Sequence, residues 1–234
     1  MSAEVVSRVQ NVREGIEKAC RESGRTDKVQ LVAVSKTMPP ERIRAVYDAG
    51  LRCFGENKVQ EYLDKKEAVP NDIAWHFIGR LQTNKVKPLV AAACRGQLAL
   101  LQSLDRGELA REIEKQAAKA GLKRLACLIQ VNSSDEETKA GFELGEVEAF
   151  VRTIPENSVI EIRGLMTIGP HTEDGESIRR SFRSVRQLRD ELKKKFPERC
   201  WETLSMGMSA DYKIAIAEGS TLVRVGTAIF GHRG

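Results

Sequence analysis

The run Val29-Gln-Leu-Val-Ala-Val-Ser35, followed at once by Lys36, decides the fold. It is short, rich in β-branched residues and apolar at consecutive positions. That is the pattern of a strand buried on both faces, as in a parallel sheet. Upstream, Val5, Val9, Val12, Ile16 and Ala19 recur at helical spacing, and Gly24 ends that helix. Downstream, strand-like runs return at 51–54, 74–78, 98–103, 125–131, 159–168, 203–205 and 222–225, which makes eight with the first. Helical segments fill the gaps at 41–49, 58–67, 85–93, 107–120, 145–153, 176–196 and 210–218. The longest carries one apolar stripe, Ile178, Phe182, Val185, Leu188, Leu192 and Phe196.

Strict alternation of strand and helix implies a parallel sheet, and eight strands imply closure. The expected fold is α/β, a single (β/α)8 TIM barrel with an extra N-terminal helix. That leading helix is expected to supply the outer cover a terminal helix would give, because the chain stops soon after the eighth strand. No linker or composition shift divides residues 1–234, so one domain is expected. An open doubly wound sheet is the competing architecture. It lacks support from a GxGxxG motif, and the segment Gly226–Gly231 is not followed by the lysine of a P-loop.

Of the 234 residues, 41% are hydrophobic and 30% charged, a composition that excludes wholesale disorder. No apolar stretch approaches the roughly 20 residues of a membrane span. The N-terminus MSAEVVSRVQNVREGIEKAC is charged and periodic rather than signal-like, so a cytoplasmic location is expected. The net charge of +5 reads as a solvated basic face, not a nucleic-acid surface. Lys193, Lys194 and Lys195 close a predicted helix, where cations oppose the C-terminal dipole, and aromatics make up only 5%. The five cysteines include no CxxC, and His76, His171 and His232 show no HxH or HExxH spacing, so no metal site or disulfide framework is expected. Cys53, Cys94 and Cys127 read as small core residues.

Function in a barrel lies at the C-terminal ends of the strands. Those ends carry Lys36, Asn57, His76, Asp105, Asn132, Met166, Ser205 and Gly226-Thr227. Small residues after strands seven and eight occupy the usual phosphate site of such barrels, and Ser205-Met-Gly-Met-Ser209 feeds the predicted helix at 210–218. Arg224 lies inside the last apolar run, where a permanent cation needs a partner. A core carboxylate and an anionic ligand or ring nitrogen are equally good partners at this level.

Six segments carry a family resemblance. They are Ala33-Val-Ser-Lys36, Phe54-Gly-Glu-Asn57, Trp75-His-Phe-Ile-Gly79 with Leu81-Gln-Thr-Asn-Lys85, Arg163-Gly-Leu-Met166, Leu204-Ser-Met-Gly-Met-Ser209 and Val223-Arg-Val-Gly-Thr-Ala-Ile-Phe-Gly231. In order and over nearly the whole chain, these resemble the pyridoxal phosphate homeostasis proteins, which in turn resemble the N-terminal barrel of alanine racemase. The resemblance implies that Lys36 forms an imine with pyridoxal 5′-phosphate (PLP). It implies that Ser205, Gly226 and Thr227 hold the phosphate with Ser209 close by, that Arg224 faces the pyridine nitrogen, and that Asn57 and Met166 flank the cofactor. His76 reads instead as a hydrogen-bonded core residue.

An imine requires a neutral amine, and burial beside cations lowers a lysine pKa toward neutrality. An arginine at the ring nitrogen favours the unprotonated ring and so weakens the electron sink. Racemisation also needs an acid/base on the opposite face of the cofactor. Tyr47, Tyr62 and Tyr212 all fall on predicted outer helices, and Tyr212 alone has a route to the site. The expected function is therefore PLP binding and a role in intracellular PLP and amino/keto-acid homeostasis, with little or no catalysis. The alternatives are a PLP-dependent amino-acid racemase or related weak enzyme, and a Schiff-base aldolase without cofactor. The expected partners are PLP and PLP-dependent apoenzymes as acceptors, with no nucleic acid or membrane, and the expected state is a monomer.

Overall fold

The computed structural model describes residues 2–134 and 140–231. Its strands are β1 (Gln30–Val34), β2 (Cys53–Glu56), β3 (Ala74–Phe77), β4 (Leu100–Leu104), β5 (Leu125–Asn132), β6 (Phe142–Glu143), β7 (Ile160–Thr167), β8 (Thr203–Ser205) and β9 (Leu222–Val225). All pairings are parallel, in the order β4-β3-β2-β1-β9-β8-β7-β5, and β4 pairs with β5 to close the ring. This is the expected eight-stranded barrel. The two-residue β6 is an addition, laid against the end of β5 with Val131 opposite Phe142.

The helices are α1 (Ser2–Glu22), α2 (Pro40–Asp48), α3 (Val59–Lys66), α4 (Val86–Cys94), α5 (Gly107–Ala120), α6 (Val147–Thr153), α7 (Gly175–Lys195), α8 (Tyr212–Ala217) and α9 (Thr227–Phe230). α1 packs on α2, α8 and α9. It buries Val9, Val12, Ile16 and Ala19 there, and so supplies the cover that the four-residue α9 is too short to give. α7 buries Ile178, Phe182, Val185 and Leu192, and the Asp174 side chain accepts from the Glu176 N–H to cap its start.

Strand alternation sorts the core into two parts. Phe54, Trp75, Leu101 and Leu204 point outward into the main core between barrel and helices. Val32, Cys53, Leu100, Leu128, Met166 and Leu222 fill the inside of the barrel. Three expectations shift. β2 starts two residues late, because Leu51 is still closing the turn after α2 through its N–H to Val46 O. α8 begins at Tyr212, since Asp211 folds back to accept from the Met208 N–H at 2.6 Å. Cys94, expected in the core, is exposed at the end of α4.

Candidate functional site

Lys36 stands two residues past the end of β1, after Ser35, and is half-buried. It opens onto a cavity of about 310 Å³ at the C-terminal mouth of the barrel. Three cations line this cavity, Lys36, Arg80 and Arg224, and no carboxylate does so among the described residues. Its walls include Val34, Ile78, Ile168 and Met208. Ile168 and Met208 are 40% and 39% exposed, among the few large apolar side chains left open to solvent. A cationic cavity with an apolar rim suits a flat anionic ligand. A larger groove of about 920 Å³ lies at the opposite end of the barrel beneath α1. Arg25, on its wall, is satisfied internally by Asp27, Ile216 O and Ser220 O.

Asn57 reaches the cavity because the chain turns tightly after β2 and crosses Gly79. A Cβ on Gly79 would fall 2.1 Å from Asn57 O, so only glycine fits. The Asn57 Oδ1 is buried and accepts no hydrogen bond. An orphaned acceptor in a polar cavity fits a ligand donor.

Arg224 enters from β9 and is 4% exposed. It donates through Nη1 to Ser205 O at 2.7 Å and to the Ser205 hydroxyl, and through Nη2 to Thr167 O at 2.8 Å. No carboxylate pairs with it, and Asp211 acts on it only at longer range. The core salt bridge weighed from sequence is thus absent among the described residues. Burial pushes the Arg224 pKa down to about 10, so it remains cationic at neutral pH. Three of its five donors are engaged, which leaves two for a ligand.

Ser205 belongs with Arg224 rather than with a phosphate. Its hydroxyl is fully buried, accepts from Arg224 and donates to Gln102 Oε1 at 2.6 Å. A hydroxyl has one proton, and this one is already committed. Gln102 Nε2 lies 2.8 Å from His76 Nδ1, and His76 Nε2 lies 3.3 Å from Cys53 Sγ. His76 is therefore the hydrogen-bonded core residue expected. Burial holds its pKa down at about 4 and pushes the Cys53 thiol up to about 12, so both are neutral near pH 7.

A second polar group gathers around Ser209. Its Oγ accepts from the Gly226 N–H at 3.3 Å and from the Ala228 N–H at 3.5 Å. Two backbone donors thus converge on one oxygen, an arrangement that an anion's oxygen satisfies equally well. These donors come from the turn after β9, not from the start of α8. Thr227 opens α9 beside them and is exposed. Gly207 makes the turn possible. Its φ is +92°, and a Cβ there would lie 2.6 Å from that of Ala215.

Two other expectations resolve differently. Met166 is fully buried inside the barrel and does not line the cavity. Tyr212 lies under α1, where a Cβ on Gly15 would approach its hydroxyl to 2.3 Å, so it faces away from the mouth. Tyr62 donates to Gln97 O, and Tyr47 to Asp72. His232 lies outside the described residues. Among the described residues no group of three His, Cys, Asp or Glu side chains could hold a metal ion. No helix among them is long and apolar enough to cross a membrane.

A family model for the N-terminal domain of alanine racemase matches residues 8–234. A pyridoxal phosphate homeostasis protein of Aquifex aeolicus is 46% identical over 228 residues, covering 97% of each chain. Its namesake in Escherichia coli is 40% identical over 239 residues, covering 98% of this chain and 97% of the relative. The chain belongs to the pyridoxal phosphate homeostasis protein family. Among solved structures, PipY of Synechococcus elongatus with PLP bound superposes with a TM-score of 0.82 at 33% identity, covering 97% of this chain and 100% of that one. An alanine racemase of Clostridium difficile matches at a TM-score of 0.72 and 13% identity, which shows a shared fold, and this chain spans 55% of its length. Sequence reasoning located Lys36, Asn57 and Arg224 on the cavity but overlooked Arg80, Ile168, Met208 and Gln102. The signal for Gln102 was a polar residue inside an otherwise apolar strand run.

Proposed function

We propose that this chain binds PLP at the mouth of the barrel through Lys36. We further propose that it takes part in intracellular PLP and amino/keto-acid homeostasis with little or no catalysis. The observation that carries the reading is Arg224, a buried cation with no carboxylate and two free donors, in one cavity with a lysine. A relative of the same family is solved with PLP bound.

The residues present fit the group. When bound, PLP supplies an aldehyde that condenses with amines and an aromatic ring that draws electrons. Lys36, which opens onto the cavity, would supply the amine that condenses with that aldehyde, with loss of water. Gly226 and Ala228 offer N–H groups to phosphate oxygens, with the Ser209 hydroxyl and Thr227 alongside. Asn57 offers an acceptor, and Ile168 and Met208 would supply apolar surface to the ring. Arg224 offers its remaining donors to the ring nitrogen. A cation at that position keeps the nitrogen unprotonated, which suits holding the ligand more than carbanion chemistry.

Borohydride reduction of the PLP-loaded chain, followed by peptide mass analysis, tests the reading. The expected result is a pyridoxyl phosphate adduct on the peptide containing Lys36 and much weaker binding of pyridoxal, which lacks the phosphate. Label mainly on Lys85 or Lys213, or equal affinity for PLP and pyridoxal, would overturn it.

A further inference from the structure

The segment that carries Lys36 is held by a buried ion cluster on α3. Lys65 is 8% exposed, although it stands in the charged run Glu61-Tyr-Leu-Asp-Lys-Lys-Glu67. Its ammonium donates to Ser35 O at 2.9 Å, to Glu56 Oε1 at 2.8 Å and to Glu61 Oε2 at 3.1 Å. Each of those acceptors also touches the residues flanking Lys36. The Ser35 hydroxyl donates to Glu56 Oε1 at 2.7 Å, and the Thr37 N–H donates to Glu61 Oε2 at 2.9 Å. Thr37 has a φ of +65°, the sole non-glycine residue in the left-handed region among those described. A β-branched residue adopts that conformation only when its surroundings impose it.

Burying an ammonium and a carboxylate is unfavourable unless both are fully hydrogen-bonded. Here the three protons of Lys65 have three acceptors and Glu56 Oε1 accepts twice, while Glu56 Oε2 is buried without a partner; the outcome is a fixed backbone on either side of Lys36. The geometry points to Lys65, with Glu56 and Glu61, as a positioning cluster that presents the Lys36 amine to the cavity. Lys65 itself does not line the cavity. The cluster sets how readily Lys36 closes its C=N bond, by removing the conformational freedom that the loop would otherwise lose on reaction.

This inference rests on the Lys36 reading, and the experiment separates the two. Imine formation is read from the visible absorbance of PLP-loaded chain and from the borohydride-fixed fraction on Lys36. Non-covalent binding is read with pyridoxine 5′-phosphate, which has a hydroxymethyl in place of the aldehyde. In Lys65→Met the imine fraction is expected to fall at least tenfold, while pyridoxine 5′-phosphate affinity changes less than twofold. Glu61→Ala leaves the Lys65–Glu56 pair in place, so it decides the matter if Lys65→Met does not fold. It is expected to lower the imine fraction about threefold by freeing Thr37. Undiminished imine in the folded variants, or equal loss of both ligands, overturns the positioning cluster alone. No adduct on Lys36 in the unaltered chain overturns the parent reading and this one with it.

Discussion

The Ser205 hydroxyl donates to Gln102 Oε1 at 2.6 Å, and that bond fixes the sense of the hydrogen-bond chain that runs from Arg224 to Cys53 inside the barrel. With its oxygen occupied, Gln102 donates through Nε2, so His76 Nδ1 must accept. His76 then carries its proton on Nε2 and presents it to Cys53 Sγ, which also receives the Gln30 side-chain amide at 3.5 Å. Each acceptor end in this chain faces back toward Arg224. Aligned neutral dipoles thus oppose the buried guanidinium where a carboxylate would otherwise stand, and successive bonds polarise one another. A carboxylate would neutralise Arg224 outright. The dipole chain stabilises it and leaves its charge available to the cavity.

Gln102→Leu removes both ends of that arrangement. The Ser205 hydroxyl loses its acceptor, and His76 Nδ1 loses its donor, both buried inside the barrel. Leaving a buried polar group unsatisfied costs about 1–3 kcal/mol, so the variant is expected to lose about 2–4 kcal/mol of unfolding free energy. PLP affinity is expected to fall as well, because Arg224 loses its mooring through Ser205. Denaturant titration measures the first effect and ligand titration the second. A stability change under about 0.5 kcal/mol would show that the chain contributes nothing, since surface substitutions alone scatter that far.

The same chain makes stability sensitive to mild acid. Burial holds His76 at about 4, below the ordinary histidine value of about 6.5. The unfolded chain therefore takes up the proton first as pH falls. The His76 contribution is fully present above pH of about 6.5, is lost progressively down to about 4, and levels off below that. The difference corresponds to about 3 kcal/mol. Carboxylates titrate in the same range, so the comparison is with His76→Gln, which has no ionisable ring. The curve of unfolding free energy against pH is expected to be flatter for His76→Gln between pH 6.5 and 4. Parallel curves would rule out His76 as the sensing group.

The eight barrel strands were legible because buried parallel strands are continuous apolar runs. Lys36 and Arg224 were legible because each breaks such a run with a charge. Ser205 was misplaced for a physical reason. Its motif, Leu204-Ser-Met-Gly-Met-Ser209, reads as a phosphate loop, but residues 203–205 are still strand, and alternation turns the Ser205 side chain into the barrel. The serine that meets the backbone donors of the turn after β9 is the second one, four residues on. Lys65 was illegible. A lysine in a charged helix segment reads as solvated, and only the tertiary approach of Ser35 and Glu56 makes it a buried anchor. Met166 was read as a flank of the cofactor because it lies at the end of the fragment Arg163-Gly-Leu-Met166, whereas it packs inside the barrel with Val32 and Leu128.

Tyr212 bears on whether the site turns over amino acids. Racemisation needs a proton donor and acceptor on both faces of the bound ligand, and a missing general acid/base is worth about 100- to 10,000-fold in rate. Of the three tyrosines, Tyr62 is held by Gln97 O and Tyr47 by Asp72, both away from the cavity. Tyr212, the remaining one, is pressed against Gly15 of α1, and burial raises its pKa, so less of it is phenolate at neutral pH. Lys36 is then the one amine among the described residues that line the cavity, and in the proposed binding mode Arg224 at the ring nitrogen would weaken the electron sink. PLP-loaded chain is expected to exchange the Cα proton of amino acids for deuterium at no more than about tenfold the rate of free PLP, the residue of binding without a second acid/base. Tyr212→Phe is expected to leave that rate unchanged and to alter only the packing of α1. Proton exchange and enantiomer conversion over a panel of amino acids provide the measurement. Turnover far above free PLP that disappears in Lys36→Ala would establish a catalyst, and its loss in Tyr212→Phe would place the second base on α8 despite the contact with Gly15.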